Sequence, residues 1–175
     1  ANNSKVTQEI VNTALADLNN AYSALINETF TYDPCPIPGM VNFDKKMATG
    51  GTITIGSASG DIGSTRQGAY VVVPLLATVS GNYIVTIKAA TTRGSDVSPR
   101  INLALIDEST DFVNYKVDEK DSKLIKQESS WSNYSEYKWS FDLNANDLKF
   151  MRLTFLVNDA GWAVNVGDIV FKLSS

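Results

Sequence analysis

The segment from Gln67 to Thr92 reads QGAYVVVPLLATVSGNYIVTIKAATT. It holds two runs of β-branched and aromatic residues on either side of Ser80-Gly81-Asn82, which is a turn signal. The second run, from Tyr83 to Lys88, alternates with the period of two that is typical of a strand. The segment therefore predicts two strands joined by a turn, and the residues after it are predicted to add further strands to the same antiparallel body.

From Met40 onward the chain consists of short apolar runs that are separated by clusters of Gly, Asn, Asp and Ser. This pattern is typical of an antiparallel β-sandwich or jelly roll and not of an α/β enzyme. Strands are predicted at Met40–Phe43, Thr52–Ile55, Gln67–Val73, Gly81–Thr91, Arg100–Ile106, Phe112–Val117, Ser135–Leu143, Lys149–Val157 and Val164–Leu173.

The N-terminal part of the chain has a different pattern. Between Ser4 and Ile26, apolar residues recur every three or four positions, which predicts one α-helix about 35 Å long. Three prolines between Pro34 and Pro38 then predict a stiff linker. We therefore divide the chain into a helix or helical spacer at 1–28, a proline-rich linker at 29–39 and a β-sandwich at 40–175. The pattern leaves open whether the helix packs on the sandwich or mediates assembly.

Composition excludes several classes of function. The net charge is −4, whereas a nucleic-acid binder needs a basic face for phosphate contacts. No apolar run is long enough to predict a membrane span. Histidine is absent and Cys35 is the only cysteine, so a Cys-His nucleophile, a cysteine zinc cluster and an internal disulfide are excluded.

Aromatic residues in polar segments form the first candidate site. The segment SSWSNYSEY contains Trp131, Tyr134 and Tyr137, and NDAGWAVN contains Trp162. Aromatic rings in polar loops can stack on the apolar face of a sugar, while nearby amides bind its hydroxyls. The adjacent candidates for that second role are Asn158 and Asn165. Packing in the core is the competing interpretation, and it is favoured for Trp139, which lies within a predicted strand.

Acidic residues form two weaker candidates. Hard oxygen ligands of the kind that calcium prefers are scattered along the chain, and turn-capping or solvated side chains are the competing interpretation. A pair of catalytic carboxylates is not predicted, because most acidic residues lie in one charged stretch from Asp107 to Glu128 that is typical of a solvated face. The candidate calcium ligands are Asn42, Asp44, Asp61, Asp107 and Asp168.

The segment GAYVVVPLLATVSGNYIVTIKAAT resembles part of the galactose-binding-like carbohydrate-binding modules, in which a strand, a "V-P-x-x-G-x-Y" segment and a second strand ending in Ala-Ser or Ala-Thr follow one another. The downstream order is also similar, with the loop residue Trp131, an "L-x-A-x-D-L" segment at Leu143–Leu148 and the strand MRLTFLV. The close of the chain, NVGDIVF, resembles "N-I-D-Y-I-x-F". The similarity is greatest to modules of the family-six kind and covers roughly Met40 to Leu173.

The resemblance implies a jelly-roll sandwich with a structural calcium ion and a sugar site among loops or on a concave face. It assigns Trp131 and Asn165 to a sugar cleft. The family's facing aromatic has no counterpart in the segment Gly63–Arg66, and Trp162 is a candidate to replace it. For calcium, the resemblance implies Asp44 and Asp168, together with Asn42.

The predicted function is that of a non-catalytic carbohydrate-binding module in a secreted or cell-surface multidomain protein. Its expected partners are a polysaccharide or oligosaccharide and an attached enzyme or surface protein. Two alternatives stay open, namely a structural, adhesion or assembly domain of the same fold without a sugar site, and a lyase or hydrolase built on a jelly roll. The exposure of Trp131 and Trp162 distinguishes the sugar site from the structural domain.

Overall fold

The computed structural model describes residues 10–15, 17–18, 32–56, 62–108 and 110–175. The chain divides into two units, Ala1–Asp33 and Pro34–Ser175. In the first unit, residues 10–15 and 17–18 are helical, and the other residues of the predicted helix lie outside the described part. No helix in the described residues is long and apolar enough to cross a membrane.

The second unit is a sandwich of two β-sheets, which confirms the predicted fold class. Short 3-10 helices interrupt it at Phe43–Lys45, Ser95–Val97 and Glu119–Asp121. The strands are β1 (Cys35–Ile37), β2 (Gly39–Met40), β3 (Ala48–Gly50), β4 (Thr54–Ile55), β5 (Ile62–Gly63), β6 (Tyr70–Ala77), β7 (Gly81–Ala90), β8 (Arg100–Ile106), β9 (Ser122–Leu124), β10 (Ser135–Leu143), β11 (Leu148–Leu156) and β12 (Asn165–Leu173).

The first sheet has the order β1-β6-β11-β8-β9, with β3 also paired to β6. The second has the order β10-β7-β12-β5-β4, with β2 paired to β12. Among the strands in the described residues, all the pairs are antiparallel except β1–β6, which is parallel. The two strands of the opening segment, β6 and β7, lie in different sheets, so the connection between them crosses the sandwich and does not form a hairpin.

A proline lies within β6 because of how the neighbouring strands end. On one side of β6, β3 pairs only as far as Val72 and β1 begins only at Leu75. In the described part of the chain, Val73 and Pro74 therefore have no strand partner on that side. Proline has no backbone N–H to donate to a neighbouring strand. It is therefore tolerated at a position where the sheet has a gap and no partner strand would accept that hydrogen bond. The predicted strand ends at Val73, whereas β6 continues through Pro74 to Ala77.

The core lies between the two sheets. It is built from alternate residues of the long strands, including Val71, Val85, Leu153 and Phe171, all fully buried. The buried Tyr83 also belongs to it, and its hydroxyl donates to the carbonyl oxygen of Val79 at 2.6 Å. The alternation in the sequence therefore places the core.

The structure differs from the predicted linker in the proline-rich segment. Cys35–Ile37 forms β1 at the edge of the first sheet, where an exposed proline is tolerated. The Cys35 thiol is buried and exchanges hydrogen bonds with the backbone of Asn42, at 3.3 and 3.5 Å. From Pro34 onward this segment is part of the sandwich unit.

The predicted strand at Phe112–Val117 is wrong, because these residues form bends and irregular backbone. The segment packs on the outer face of the first sheet. There the centre of the Phe112 ring lies 5.1 Å from the centre of the Phe150 ring. The Arg152 side chain, only 3% exposed, donates through Nε to the carbonyl oxygen of Phe112 at 3.1 Å. Contacts with distant residues therefore order part of the stretch from Asp107 to Glu128, although its many charges predict a solvated face.

Aromatic rings surround the Arg152 guanidinium. Its central carbon lies 4.2 Å from the centre of the Tyr70 ring and 5.3 Å from that of Tyr115. A second guanidinium nitrogen donates to the hydroxyl of Thr154. Burial lowers the pKa of Arg152, while the nearby tyrosines oppose that shift. Arg152 thus connects the central strand β11 to the loop that covers it.

Candidate functional site

Four loops converge at one end of the sandwich. They are the connections from β5 to β6, from β7 to β8, from β9 to β10 and from β11 to β12. We call this region the loop end; it comprises residues 64–69, 91–99, 125–134 and 157–164. It contains Trp131 and Trp162 together with Tyr134 and Asn158, and Asn165 begins β12 beside it. The topology therefore gathers most of the predicted sugar-binding residues into one region.

Two buried threonines fix the backbone next to Trp162. The Thr65 hydroxyl accepts from the Val164 N–H at 2.9 Å, and its own proton is donated to the Val164 carbonyl. The Thr91 hydroxyl donates to the Ala163 carbonyl at 2.8 Å. Both threonines are almost completely buried, so these bonds are shielded from water. They hold the segment that presents Trp162.

An ion pair fastens the same loop from its other side. Arg93 binds the carboxylate of Asp159, whose other oxygen accepts from the Gly161 N–H at 2.8 Å. A Cβ atom at Gly161 would lie 2.2 Å from a guanidinium nitrogen of Arg93, so only glycine allows the guanidinium to lie this close to the backbone. The loop that carries Trp162 is thereby connected to the loop that follows β7.

Trp162 is 42% exposed, and a guanidinium covers part of its ring. The central carbon of Arg66 lies 4.4 Å from the ring centre, which is a cation–π contact. Arg66 belongs to the segment Gly63–Arg66, in which the resemblance expects a facing aromatic. The side chain that faces Trp162 from this loop is therefore a cation and not a second ring.

Trp131 and Asn165, the pair that the resemblance assigns to the sugar cleft, are in contact. The Asn165 side-chain amide donates to the Trp131 carbonyl at 3.3 Å. A Cβ atom at Gly63 would lie 3.5 Å from the side-chain oxygen of Asn165. Asn165 therefore lies beside Gly63 and contacts the loop of Trp131. The Trp131 side chain is partly exposed.

Glu128 organises the loop of Trp131. One of its carboxylate oxygens accepts from the Ser135 hydroxyl at 2.5 Å, and the other accepts from the Asn133 amide at 3.2 Å. Its backbone N–H donates to the Thr91 carbonyl at 2.7 Å. The loop is therefore held at both its start and its end.

The remaining predicted ligand residues lie in three different environments. Tyr134 is partly buried, and its ring lies close to Gly167 on the outer face of the second sheet. Asn158 is exposed, and its backbone N–H donates to the Val97 carbonyl at 2.9 Å. Tyr137 packs against the core. The Asn158 side chain is therefore open to solvent in the loop that carries Trp162, whereas the Tyr134 ring lies over the second sheet.

Tyr137 has contacts that explain its presence without a ligand. Its hydroxyl accepts from the Lys126 N–H at 2.8 Å. Burial raises the pKa of Tyr137, whereas the Lys126 hydrogen bond acts in the opposite direction. Trp139, two residues further along β10, also packs against the core, as the sequence favours. We therefore interpret Tyr137 and Trp139 as residues of β10 that pack against the core, and not as rings on which a sugar stacks.

The proposed calcium ligands do not form a built metal site. The side chain of Asn42 accepts from the Asp44 N–H at 2.9 Å and so caps a 3-10 turn. Asp168 instead pairs with the Lys88 ammonium at 2.9 Å, and that bond raises the pKa of Lys88. Asp107 pairs with Lys149 at 2.6 Å, and Asp61 lies outside the described residues.

Within the described ranges, no three carboxylate, thiol or imidazole side chains lie close enough together to hold a metal ion. The resemblance predicts calcium binding by Asp44, Asn42 and Asp168, whereas the contacts that Asn42 and Asp168 make with other protein groups do not fit a resident calcium ion. We expect the melting temperature to be the same in EDTA and in millimolar calcium, as followed by circular dichroism. A melting temperature that rises with calcium and saturates would instead support a calcium site.

Local sequence patterns do not identify Arg66, Thr65, Thr91 or the pair Arg93–Asp159 as part of the site. Each acts across loops that are distant in sequence, and a lone Arg or Thr in a loop gives no local signal. The one available clue was the missing aromatic in Gly63–Arg66, because an arginine can cover an aromatic ring in place of a second ring.

The sequence matches no family model and no curated protein. The fold does match solved structures. A family 6 carbohydrate-binding module from Clostridium stercorarium, solved with cellobiose, is 19% identical, has a TM-score of 0.55, and the match covers 81% of this chain and 98% of that one. A β-1,3-glucan-binding family 6 module from Bacillus halodurans is 12% identical and has a TM-score of 0.56. That match covers 80% of this chain and 99% of the module.

A third match lies within a larger enzyme. It is a glycoside hydrolase family 43 arabinoxylan arabinofuranohydrolase from Bacillus subtilis, 12% identical, with a TM-score of 0.56. That match covers 81% of this chain and 28% of the enzyme. At these identities the similarity concerns the fold, and it agrees with the resemblance found in the sequence. The chain from Pro34 to Ser175 therefore has the β-sandwich fold of the family 6 carbohydrate-binding modules.

Proposed function

We propose that this protein is a non-catalytic carbohydrate-binding module that binds glycan at the loop end of its sandwich. The observation that supports the proposal is the position of Trp162. Its ring is exposed in a polar loop whose backbone is fixed by buried hydrogen bonds and an ion pair. A rigid, exposed aromatic ring costs little conformational entropy on binding and offers a flat surface to a sugar ring.

The groups around Trp162 suit a polyhydroxylated ligand. Arg66 and the exposed side chain of Asn158 supply donors, and the amide oxygens of Asn158 and Asn165 supply acceptors. Trp131 adds a second, partly exposed ring in the neighbouring loop. The loop end is open to solvent, so little ligand area would be buried and the affinity should be modest.

We further infer that the module acts as part of a secreted or cell-surface multidomain protein. In such a setting it would hold an attached enzyme or surface domain near polysaccharide. The fold similarity to a segment of a larger glycoside hydrolase supports this setting, as does the separate unit at Ala1–Asp33.

Intrinsic fluorescence during titration with soluble oligosaccharides tests the proposal. The panel should include cello-, xylo-, manno- and β-1,3-gluco-oligosaccharides. We expect a saturable shift of tryptophan emission with at least one of them, because Trp131 is partly exposed and Trp162 is 42% exposed. A flat response across the panel, from a protein that circular dichroism shows to be folded, would contradict the proposal.

An assembly or adhesion domain is the second candidate function. One observation favours it, namely that Ile10, Val11, Leu15 and Leu18 are exposed on the described part of the helix. Exposed apolar side chains at helical spacing are typical of a surface that associates. Light scattering over a range of concentrations tests it, since a constant monomer mass would remove this candidate as a self-assembly domain.

A further inference from the structure

Strand β10 lies at the edge of the second sheet. It pairs with β7 over its whole length, from Ser135 opposite Ala89 to Leu143 opposite Gly81. On its other side, β10 has no strand partner within the described residues. Native proteins often shorten an edge strand or interrupt it with a proline or a bulge, because its unpaired backbone groups can bind another chain. Strand β10 is long, pairs without a bulge and contains no proline, so its open edge can accept a further strand.

The backbone groups that face the open edge follow from the pairing of β7. On the side of β7 that faces β12, the Asn82 carbonyl accepts from the Ser174 N–H. Backbone groups alternate in direction along a strand, so the even-numbered residues of β7 face β12 and its odd-numbered residues face β10. Val85 lies opposite Trp139, so the odd-numbered residues of β10 are those bonded to β7. The edge-facing residues of β10 are therefore Glu136, Lys138, Ser140 and Asp142.

The side chains of these edge-facing residues are exposed on the outer face of the second sheet, because the alternate residues of β10 pack against the core. The Asn82 amide donates to the Ser140 hydroxyl and to the Asp142 carboxylate, both at 2.9 Å. In the described part of the chain, neither Lys138 nor Asp142 takes part in an ion pair. The edge strand therefore presents an ammonium group and an oriented carboxylate, neither of which has an oppositely charged partner in its own chain.

A second copy of this chain fits the open edge in only a few registers. Edge-facing residues must lie opposite edge-facing residues, so the two-fold axis of an antiparallel pair must pass through a residue of β10. An axis at Trp139 would pair the whole strand, but it would place Glu136 opposite Asp142 twice. An axis at Lys138 would place two ammonium groups opposite each other. Like charges that lie directly opposite each other destabilise a sheet.

An axis at Ser140 makes β10 complementary to itself. Lys138 of each copy then lies opposite Asp142 of the other, which gives two ion pairs on the outer face. On the inner face, Trp139 of each copy lies opposite Phe141 of the other, and both rings are partly exposed. Opposite charges and aromatic rings that face each other across two strands stabilise a sheet. The order of charges and rings along β10 therefore favours this register.

One other register is compatible with the charges, but it pairs less of the strand. An axis at Tyr137 places Glu136 opposite Lys138, and only residues 135–139 of β10 then overlap. An axis at Ser140 gives an overlap of residues 137–143. The longer overlap forms more backbone hydrogen bonds between the two edges, so the axis at Ser140 is preferred.

We propose that the open edge of β10 is an interface between two copies of this chain. The second sheets of the two copies join there into one continuous antiparallel sheet, with Ser140 on the two-fold axis. Because the two strands run in opposite directions, the loop ends of the two copies point away from each other. The dimer thus presents its two candidate glycan sites at opposite ends, and this last consequence, unlike the dimer itself, rests on the proposed function.

A cysteine on the two-fold axis tests the interface directly. Opposite residues of a hydrogen-bonded antiparallel pair have Cα atoms about 5.5 Å apart, which is within disulfide range. We expect the full-length variant Ser140→Cys to form a disulfide-linked dimer in a glutathione redox buffer, as seen on a non-reducing gel. Glu136→Cys is the matched control, because it is exposed on the same strand but lies about 27 Å from its copy in this register. The native Cys35 is buried.

Sedimentation equilibrium of the full chain measures the association itself. We expect the average mass to rise toward that of a dimer as the protein concentration reaches the millimolar range. Lys138→Asp and Asp142→Lys each replace two ion pairs with two pairs of like charges, and each should weaken the dimer by at least about tenfold. The double variant Lys138→Asp/Asp142→Lys restores opposite charges and should recover the dimer. Glu136→Lys, which lies opposite Asn144, should change little.

A monomer mass at all concentrations would overturn the proposal, as would equal disulfide yields from Ser140→Cys and Glu136→Cys. Association that neither single charge variant weakens, or that the double variant does not recover, would also overturn it. Such a result would point to another surface, for example the exposed apolar residues of the N-terminal helix. None of these measurements involves a glycan, so a loop end without glycan affinity leaves the dimer unaffected.

Discussion

Replacing Trp162 with alanine is expected to weaken glycan binding by at least about tenfold, because truncation of a central aromatic contact commonly costs that much or more. The ring is exposed, so its loss should leave the free energy of unfolding nearly unchanged. The measurement is isothermal titration calorimetry with the oligosaccharide that gives the largest fluorescence response. Equal affinities for Trp162→Ala and the wild type would contradict a role for this ring in binding.

Three companion variants test that result further. Trp162→Phe keeps a flat ring and should retain part of the affinity, whereas Val113→Ala truncates an exposed side chain outside the loop end and should retain all of it. Arg66→Ala removes the cation that lies 4.4 Å from the Trp162 ring centre. If Arg66 holds the ring in place, this variant weakens binding. If it competes with the sugar for the ring, the variant strengthens binding, so the sign of the change distinguishes the two roles.

Replacing Arg152 with methionine is expected to lower the free energy of unfolding by about 2–4 kcal/mol. The change removes the donor to the Phe112 carbonyl and the cation between two tyrosine rings, while those partners stay in place. Methionine fills a similar volume, so the loss reflects the missing polar contacts more than a cavity. Urea unfolding followed by circular dichroism measures it.

The matched control is Lys149→Met, on the same strand. It breaks the ion pair with Asp107, whose carboxylate is largely exposed, and should cost less than about 1 kcal/mol. Limited proteolysis gives a second readout, because we expect Arg152→Met to expose the loop around Phe112 to cleavage. Equal stability and equal cleavage in Arg152→Met and the wild type would show that Arg152 does not anchor this loop.

Several strands follow directly from local patterns. The alternation SEYKWSFDL predicts Ser135–Leu143, and the structure has β10 with the same bounds. The segment RINLALI likewise gives β8 at Arg100–Ile106 without change. A strand with one face in the core has a period of two, so its position can be determined from neighbouring residues alone.

The candidate site was predicted in part for a similar reason. Aromatic residues in polar loops are visible in the sequence, and the structure brings Trp131 and Trp162 to the same end of the sandwich. The partners that fix them are not visible. Arg66 reaches Trp162 from a loop 96 positions earlier in the chain, and the sequence alone does not show that the two loops meet.

Local sequence patterns therefore establish the β class of the domain, the positions of most long strands and which aromatic residues lie in polar loops. Only the folded chain shows which strands share a sheet, including the parallel pairing of Cys35–Ile37 with β6, and how the charged segment around Phe112 is ordered. It also shows that an arginine faces Trp162 and that β10 lies at the edge of its sheet. The physical reason is the range of the interactions. Backbone periodicity acts between neighbouring residues, whereas sheet order, ion pairs and clefts depend on contacts between residues far apart in the chain.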